Sequence, residues 1–499
     1  MAPEEFFAGS SVESLRRYLF LGEEYDALTR RFIKKFNRIY ALRYVIRSAA
    51  QIAFSEGALY RDYLVVLRKQ KCLEEDYPFI FVVLKKRVEE IGEKIIQIVQ
   101  QLKKFEESDA DTINTELFEA IKMRRVKHLI RRHIENMKPL VGLNSIRMQK
   151  IVHKLLEDLV IKAPTLKDLE ESNFLKIRLY RPGQYKIKGT EGVVQRLIIA
   201  KYGERSPYLT FRLREENEKE ATVIIKAGKK SVQLTIEKDP EIRVLWTQAK
   251  VMHMNITAEE EFIVNSNSVL SNEILRSIFG SQNIRGASID LKTAYESFAS
   301  NVLLSRRVQL SSPNVYWLAF FSENRTLGIQ LPNVILTREN INFSRILVLY
   351  LNSSIALLQL LAFVSEVRGA WVSLDHKRVW SHLHVPDLSS IPRQIKEEAL
   401  RVFEEVGKIK VKPLLERLKL KDTIQKKIDI ISLKLLGLNN WIPRLNEIYE
   451  ALVEELTIMH KILESSQQRK RGIDDKKQKK RKKSEQKTLS DFLNMKTSQ

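Results

Sequence analysis

Three short runs near the start of the chain, Tyr44-Val45-Ile46, Tyr63-Leu64-Val65-Val66-Leu67 and Phe79 to Leu84, are apolar on both alternations of an extended backbone. Runs of that length and pattern predict strands covered by helices on both faces. Ser11 to Phe36 carries a helical pattern with Ser10 or Ser11 as N-cap, and Phe54-Ser55-Glu56-Gly57 is a loop signal between the first two strands. Residues 1–87 therefore read as α/β.

From Val88 the period changes. Val88, Ile91, Ile95, Ile98, Leu102 and Phe105 follow the 3-4 spacing of a long helix packing on another helix. A second helix is expected from Thr115 to Met137, with a basic face of Lys122, Arg124, Arg125, Lys127, His128, Arg131, Arg132 and His133. Such a run is either a solvated face or a contact for the DNA backbone. Residues 174–250 are β-rich and punctuated by Gly183, Gly189, Gly192 and Gly228, and 300–385 mix strands and a helix. Leu347 to Val364 reads as a buried helix, because Asn352, Ser353, Ser354 and Gln359 interrupt an otherwise apolar run. Helices are expected from Pro392 to Ser465, and the charged run Arg469 to Lys483 is expected to stay disordered. The fold class is mixed α/β.

The net charge of +23 points to nucleic acid, since Lys and Arg release counterions from phosphates. A basic tail alone does not explain it. From Arg469 onward twelve Lys or Arg and four Asp or Glu give +8, leaving +15 on the rest. With no run of about 18 apolar residues free of charge, no membrane span is expected. The opening MAPEEFFAGSS predicts no signal peptide, and the single Cys72 excludes an internal disulfide or a cysteine-based zinc site. These features point to the cytoplasm and its nucleoid.

In the tail, Gln486 is followed by Leu489, Phe492 and Leu493, so three apolar groups converge on one turn of helix at the end of a flexible tether. The segment closely resembles the clamp-interacting peptide of archaeal and eukaryotic replication and repair proteins, with Leu493 in place of the second aromatic. The resemblance implies docking on the PCNA sliding clamp through Gln486, Leu489, Phe492 and Leu493.

Three further stretches resemble the adenine-specific DNA methyltransferases of restriction–modification systems. Pro3-Glu4-Glu5-Phe6-Phe7-Ala8-Gly9-Ser10-Ser11 looks like the strand end and helix start after that family's catalytic motif. Ile52-Ala53-Phe54-Ser55-Glu56-Gly57-Ala58 followed by Arg61 to Leu67 is similar to its late loop-and-strand motif. Leu351-Asn352-Ser353-Ser354, Arg368-Gly369-Ala370-Trp371-Val372 and His384-Val385-Pro386-Asp387 look like the end of its target-recognition region, and Ile428-Asp429 with Leu436-Gly437-Leu438 fits its C-terminal helices. The resemblance implies a C-terminal half of a methyltransferase-like α/β domain (1–87), a helical connector (88–172), a target-recognition-like region (173–390), C-terminal helices (391–465) and a disordered basic tail (466–499).

The family's Asn or Asp followed by Pro-Pro and an aromatic is absent, as no Pro-Pro pair occurs, and no Gly-rich strand–turn–helix for S-adenosylmethionine opens the chain. Ser311-Ser312-Pro313-Asn314 does not substitute. The chain is expected to hold no catalytic residue and to bind no cofactor alone. Either a separate catalytic subunit completes the methyltransferase along Pro3 to Lys86, as one parallel sheet with S-adenosylmethionine in the completed complex, or the half domain serves as a DNA-binding adaptor that tethers the clamp.

If a partner completes the site, the resemblance places Phe54 beside a flipped adenine, with Gly57 allowing close approach. The plain alternatives are a core phenylalanine and an ordinary turn. Arg368 and Trp371 are candidates to read bases or form a structural corner, and Lys377 and Arg378 to hold phosphates of double-stranded DNA. His382 and His384, with His376 near, read as a hydrogen-bonded surface pair rather than a metal site. Glu216-Asn217-Glu218-Lys219 has the spelling of a nuclease motif but sits in a charged turn.

Overall fold

The computed structural model describes residues 2–3, 5–8, 10–36, 39–48, 62–70, 78–86, 88–124, 126–179, 209–217, 219–227, 230–245, 248–249, 251–257, 261–264, 291–310, 312–328, 331–337, 340–367 and 371–460. It is a mixed α/β fold. In chain order the first half contains β1 (Ala2–Pro3), α1 (Glu5–Ala8), α2 (Glu13–Leu21), β2 (Glu23–Asp26), β3 (Arg31–Lys34), β4 (Ile39–Ser48), β5 (Asp62–Gln70) and β6 (Phe79–Leu84). Then follow α3 (Val88–Ile91), α4 (Ile95–Glu107), β7 (Thr112–Asn114), β8 (Phe118–Met123), α5 (Val126–Arg132), α6 (Ile146–Lys162), α7 (Leu166–Glu171) and β9 (Leu175–Leu179).

The three doubly apolar runs are strands, as the pattern predicts, but their sheet is not parallel. Its order is β1-β5-β4-β6-β8-β7, and only the β4–β6 pair is parallel. It also runs past residue 87 into the expected helical connector, which supplies β7 and β8. The helix expected over Thr115 to Met137 is instead β8 followed by the short α5. Pairing with β6 overrides the local helical spacing, because Phe118 and Ala120 face one side of the sheet and Ile121 and Met123 the other core.

One sheet face packs Leu42, Val45, Tyr63, Phe79, Phe81, Val83, Ile121 and Met123 into the main core. The other presents Ile80, Val82, Leu84, Phe118 and Ala120 to Ile91, Ile98, Leu102 and Phe105. The 3-4 seam therefore packs on a sheet, not on a helix, and three of its members on α4 contribute about 1.5–3 kcal/mol each by burial. Gly92, at φ +50, separates α3 from α4 within the expected continuous helix.

The helix expected over Ser11–Phe36 ends at Gly22, whose φ of +66 puts it in the left-handed C-cap conformation. A Cβ there would lie 2.3 Å from the Phe36 carbonyl oxygen. The rest of that segment is the β2–β3 hairpin, held by Tyr25 against Phe32 and by Asp26, which accepts from the Leu28 amide and the Thr29 hydroxyl. Neither Ser10 nor Ser11 is the N-cap of α2. That position is Val12, with no side-chain cap.

The second half contains β10 (Leu209–Glu216), β11 (Glu220–Ala227), β12 (Lys230–Leu245), β13 (Glu261–Val264), α8 (Leu291–Phe298), β14 (Ser300–Leu304), β15 (Arg307–Val308), β16 (Ala319–Gly328) and β17 (Pro332–Leu336). These form a second sheet, β10-β11-β12-β16-β14-β17-β9, with β13 against β12. Next come α9 (Ile341–Leu351), α10 (Ser354–Phe363), β18 (Ser365–Val367), β19 (Trp371–Ser373), α11 (Arg393–Gly407), α12 (Leu414–Lys419), α13 (Thr423–Leu435) and a final helix, α14, over 445–460. The small sheet β15-β19-β18 sits among them.

Leu347 to Val364 is buried, but it is two helices bent by 68° rather than one. Asn352 makes the corner, its side chain accepting from the Leu318 and Ala319 amides and donating to the Ala319 and Val348 carbonyls. Ser353 then caps α10. Among the described residues no single helix is long and apolar enough to cross a membrane.

Candidate nucleic-acid interface

The segment after α5, residues 133–138, is a joint at which distant parts of the chain meet. The buried Arg16 of α2 donates to the carbonyls of Phe6, Ile134 and Glu135. Asn136 donates to the Arg378 carbonyl at 2.8 Å, and Lys138 to the Val364 carbonyl at 3.2 Å. On the far side of the joint, Leu166 N donates to Leu383 O and Val385 N to Pro164 O. Each is a backbone group satisfied by a partner remote in sequence, so the arrangement is a property of the folded chain alone.

The joint brings together two of the basic segments singled out in the sequence. Arg131 and Arg132 end α5 beside it, and Lys377 and Arg378 flank the carbonyl bonded by Asn136. Arg131, Lys377 and Arg378 are exposed and have no carboxylate partner among the described residues. Arg132 is exposed and pairs with Asp168, which also completes the capping box of α7 with Thr165. Nearby Lys167 and Arg17 are engaged by Glu135.

The expected single basic face does not exist. Lys122 is buried on β8, where its ammonium donates to the carbonyls of Glu106 and Ser108 and lies 5.0 Å from the Phe105 ring centre. Its side chain is structural, because a strand alternates faces and this position points under α4. Arg124 is exposed, 3.6 Å from Asp111. Lys127 is half-buried and His128 exposed. Arg125, Phe54, Gly57, Arg368, Gln486, Leu489, Phe492 and Leu493 lie outside the described residues. Trp371 begins β19, paired with Val367.

The histidines depart furthest from expectation. His382 and His384 are not a surface pair: both are buried, and they meet the equally buried His133. His133 sits 5.4 Å from His384 and 5.1 Å from Phe363, and Phe363 stacks on His382 at 5.5 Å, all between ring centres. His384 Nδ1 bonds the Ala163 carbonyl at 2.8 Å, whereas neither ring nitrogen of His133 has a partner among the described residues. Burial pushes His382 and His384 down to about 4 and His133 well below its ordinary value, so all three are neutral at pH 7. The spacing of His382 and His384 signalled proximity to each other, but nothing local signalled His133.

Among the described residues no group of three or more His, Cys, Asp or Glu side chains is placed to hold a metal ion. Between β10 and β11, Asn217 accepts from the amides of Lys219 and Glu220, while Glu218 lies outside the described residues. None of the described glycines lies between the end of a strand and the start of a helix, the place where a nucleoside donor would rest. No protein-family model matches the chain, and no curated protein matches it.

Proposed function

We propose that this chain is the DNA-binding, target-recognition subunit of a split adenine-specific DNA methyltransferase, recruited to the sliding clamp by its C-terminal peptide. The supporting observation is the convergence at the joint. Two basic segments far apart in sequence are anchored at one buried cluster, and Arg131, Lys377 and Arg378 are exposed with no carboxylate partner among the described residues. Exposed cations held at one joint suit the phosphates of a duplex, contacts to which set position and orientation. S-adenosylmethionine and the catalytic residues belong, on this reading, to a partner polypeptide.

Replacing Arg131, Lys377 and Arg378 together by alanine is expected to weaken duplex binding uniformly across sequences. The slope of log affinity against log salt should become shallower by about 3, near one per phosphate contact. Fluorescence titrations at several salt concentrations measure this. An unchanged slope would remove these residues from the interface.

Leu489→Ala with Phe492→Ala is expected to abolish capture of the chain by purified PCNA clamp while leaving duplex affinity nearly unchanged. Loss of both together would make the tail part of the DNA grip. The enzymatic part is tested by mixing the chain with candidate catalytic subunits and following labelled methyl transfer to DNA. Activity with a partner and none with either alone is expected, whereas its absence with every partner would leave an adaptor that links DNA to the clamp.

A further inference from the structure

Among the described residues, the β2–β3 hairpin is held by its base. The Lys35 and Phe36 amides donate to the Gly22 carbonyl, and the Phe36 ring meets Tyr18 of α2 edge-on at 5.4 Å. Arg17 of α2 lies 4.5 Å from the Phe32 ring centre and pairs with Glu23 at 2.9 Å. None of the side chains from Glu23 to Lys34 belongs to the cores described above. Asp26 and Arg31 close the ladder, so the tip is Ala27 to Arg30, about 15 Å from the base at roughly 3.4 Å per residue.

Leu28 is 95 % exposed at the apex, between the exposed Ala27 and Thr29. Asp26 fixes the turn by accepting from the Leu28 amide and the Thr29 hydroxyl, and Arg30 completes it in the left-handed region, at φ +53. Arg30, Arg31 and Lys34 are exposed and have no carboxylate partner among the described residues. From Glu24 to Lys35 four basic and two acidic residues give the arm +2, and one of those acids, Asp26, is occupied by the turn. The same Arg17 that pairs with Glu23 also pairs with Glu135 at 3.7 Å, so the arm springs from the joint that presents Arg131, Lys377 and Arg378.

We infer that this hairpin is an arm that enters the major groove of duplex DNA, with Ala27, Leu28 and Thr29 against base edges and Arg30 and Arg31 on the flanking phosphates. The inference rests on the DNA-binding reading above and adds to it a contact that touches bases. Two strands about 4.8 Å apart, with their side chains, fit a major groove about 12 Å wide but not a minor groove about 6 Å wide. The apolar groups at the tip match the thymine methyl, which only the major groove displays. An apolar knob for a groove on another protein would need no cations beside it, whereas here cations flank the tip and stand at its root.

The test uses the full chain, a short A·T-rich duplex and the same duplex with deoxyuridine in place of thymidine. The native chain should prefer the thymidine duplex about fourfold, the worth of one buried methyl group. Leu28→Ala should bind the two duplexes alike, with an unchanged melting temperature. Arg30→Asn with Arg31→Gln should make the slope of log affinity against log salt shallower by about 2, and asparagine tolerates the left-handed turn position. Both variants binding each duplex as the native chain does would overturn the inference. If replacing Arg131, Lys377 and Arg378 still flattens the slope in that case, the DNA-binding reading stands and the tip belongs to a protein contact. A native chain that binds neither duplex sinks both.

Discussion

Asp429→Ala is expected to remove about 3–5 kcal/mol of folding stability, because it leaves three buried donors without an acceptor. Asp429 is fully buried, and its carboxylate accepts from the Ser354 amide at 2.6 Å, the Gln425 side-chain amide at 3.1 Å and the Tyr449 hydroxyl at 2.8 Å. These groups start α10, lie on α13 and lie on α14, so one side chain ties three helices together. Asp429→Asn should be far milder, since an amide can accept from the first two donors and donate to the tyrosine oxygen.

The pair of variants also has a pH signature. Burial raises the Asp429 carboxyl to about 6, so its contribution is fully present below about 3.8 and is lost as pH rises through 6. Denaturant midpoints should show Asp429→Asn gaining on the native chain between pH 5 and 7. Equal losses in both variants would mean that the carboxyl group itself, which an isosteric amide does not replace, is what the site supplies.

The histidine cluster is expected to act in the opposite direction, making the fold labile in mild acid. His133, His382 and His384 are held neutral, whereas in the unfolded chain each takes up a proton near pH 6.5. Their contribution is therefore fully present above about pH 6.5 and falls as pH drops towards 4. Between pH 7 and 5 the loss should be about 2 kcal/mol for each of His382 and His384, by linkage, with His133 adding in the same direction.

The groups around the cluster do not cancel this. Glu135 and Asp168 favour protonation, but Lys167 and Arg132 oppose it from the same side. His133→Leu should lessen the acid loss and should not destabilise the chain at pH 7, because it removes a buried ring with no hydrogen-bond partner among the described residues. Thermal unfolding across that range checks both points. A variant as acid-sensitive as the native chain would place the titration elsewhere. Because Asn136 and Arg378 adjoin this cluster, the proposed DNA binding should weaken over the same interval.

Some of this was legible in the residues. Phe79–Leu84 had to be a covered strand because it is short and apolar on both sides, and all six of its residues are buried. The C-terminal helices and the seam through Ile98, Leu102 and Phe105 follow equally from local period. Gly22 is a local signal for the end of the first helix, since a glycine before a charged turn is a common C-cap. The helical pattern of Arg31–Phe36 hid it.

The basic run was legible as charge but not as a surface. Within a dozen residues Lys122 turns inward on a strand, Arg131 turns outward from a helix and His133 goes into the core. Local spacing cannot distinguish these fates, because each is set by β6, α4 or Phe363, partners far along the chain. The expectation of a surface pair at His382 and His384 fails for the same reason: polarity predicts water contact unless another element brings cover.

The sequence by itself determined the mixed α/β class, the positions of the doubly apolar strands, the excess of positive charge outside the tail and the absence of a Pro-Pro motif. These are local or additive properties, carried by composition and short-range period. Only the tertiary structure decided which cations reach water and that three histidines share one buried cluster. Burial and pairing depend on contacts between segments tens to hundreds of residues apart, and the free energy of those contacts is defined only once the chain has closed on itself.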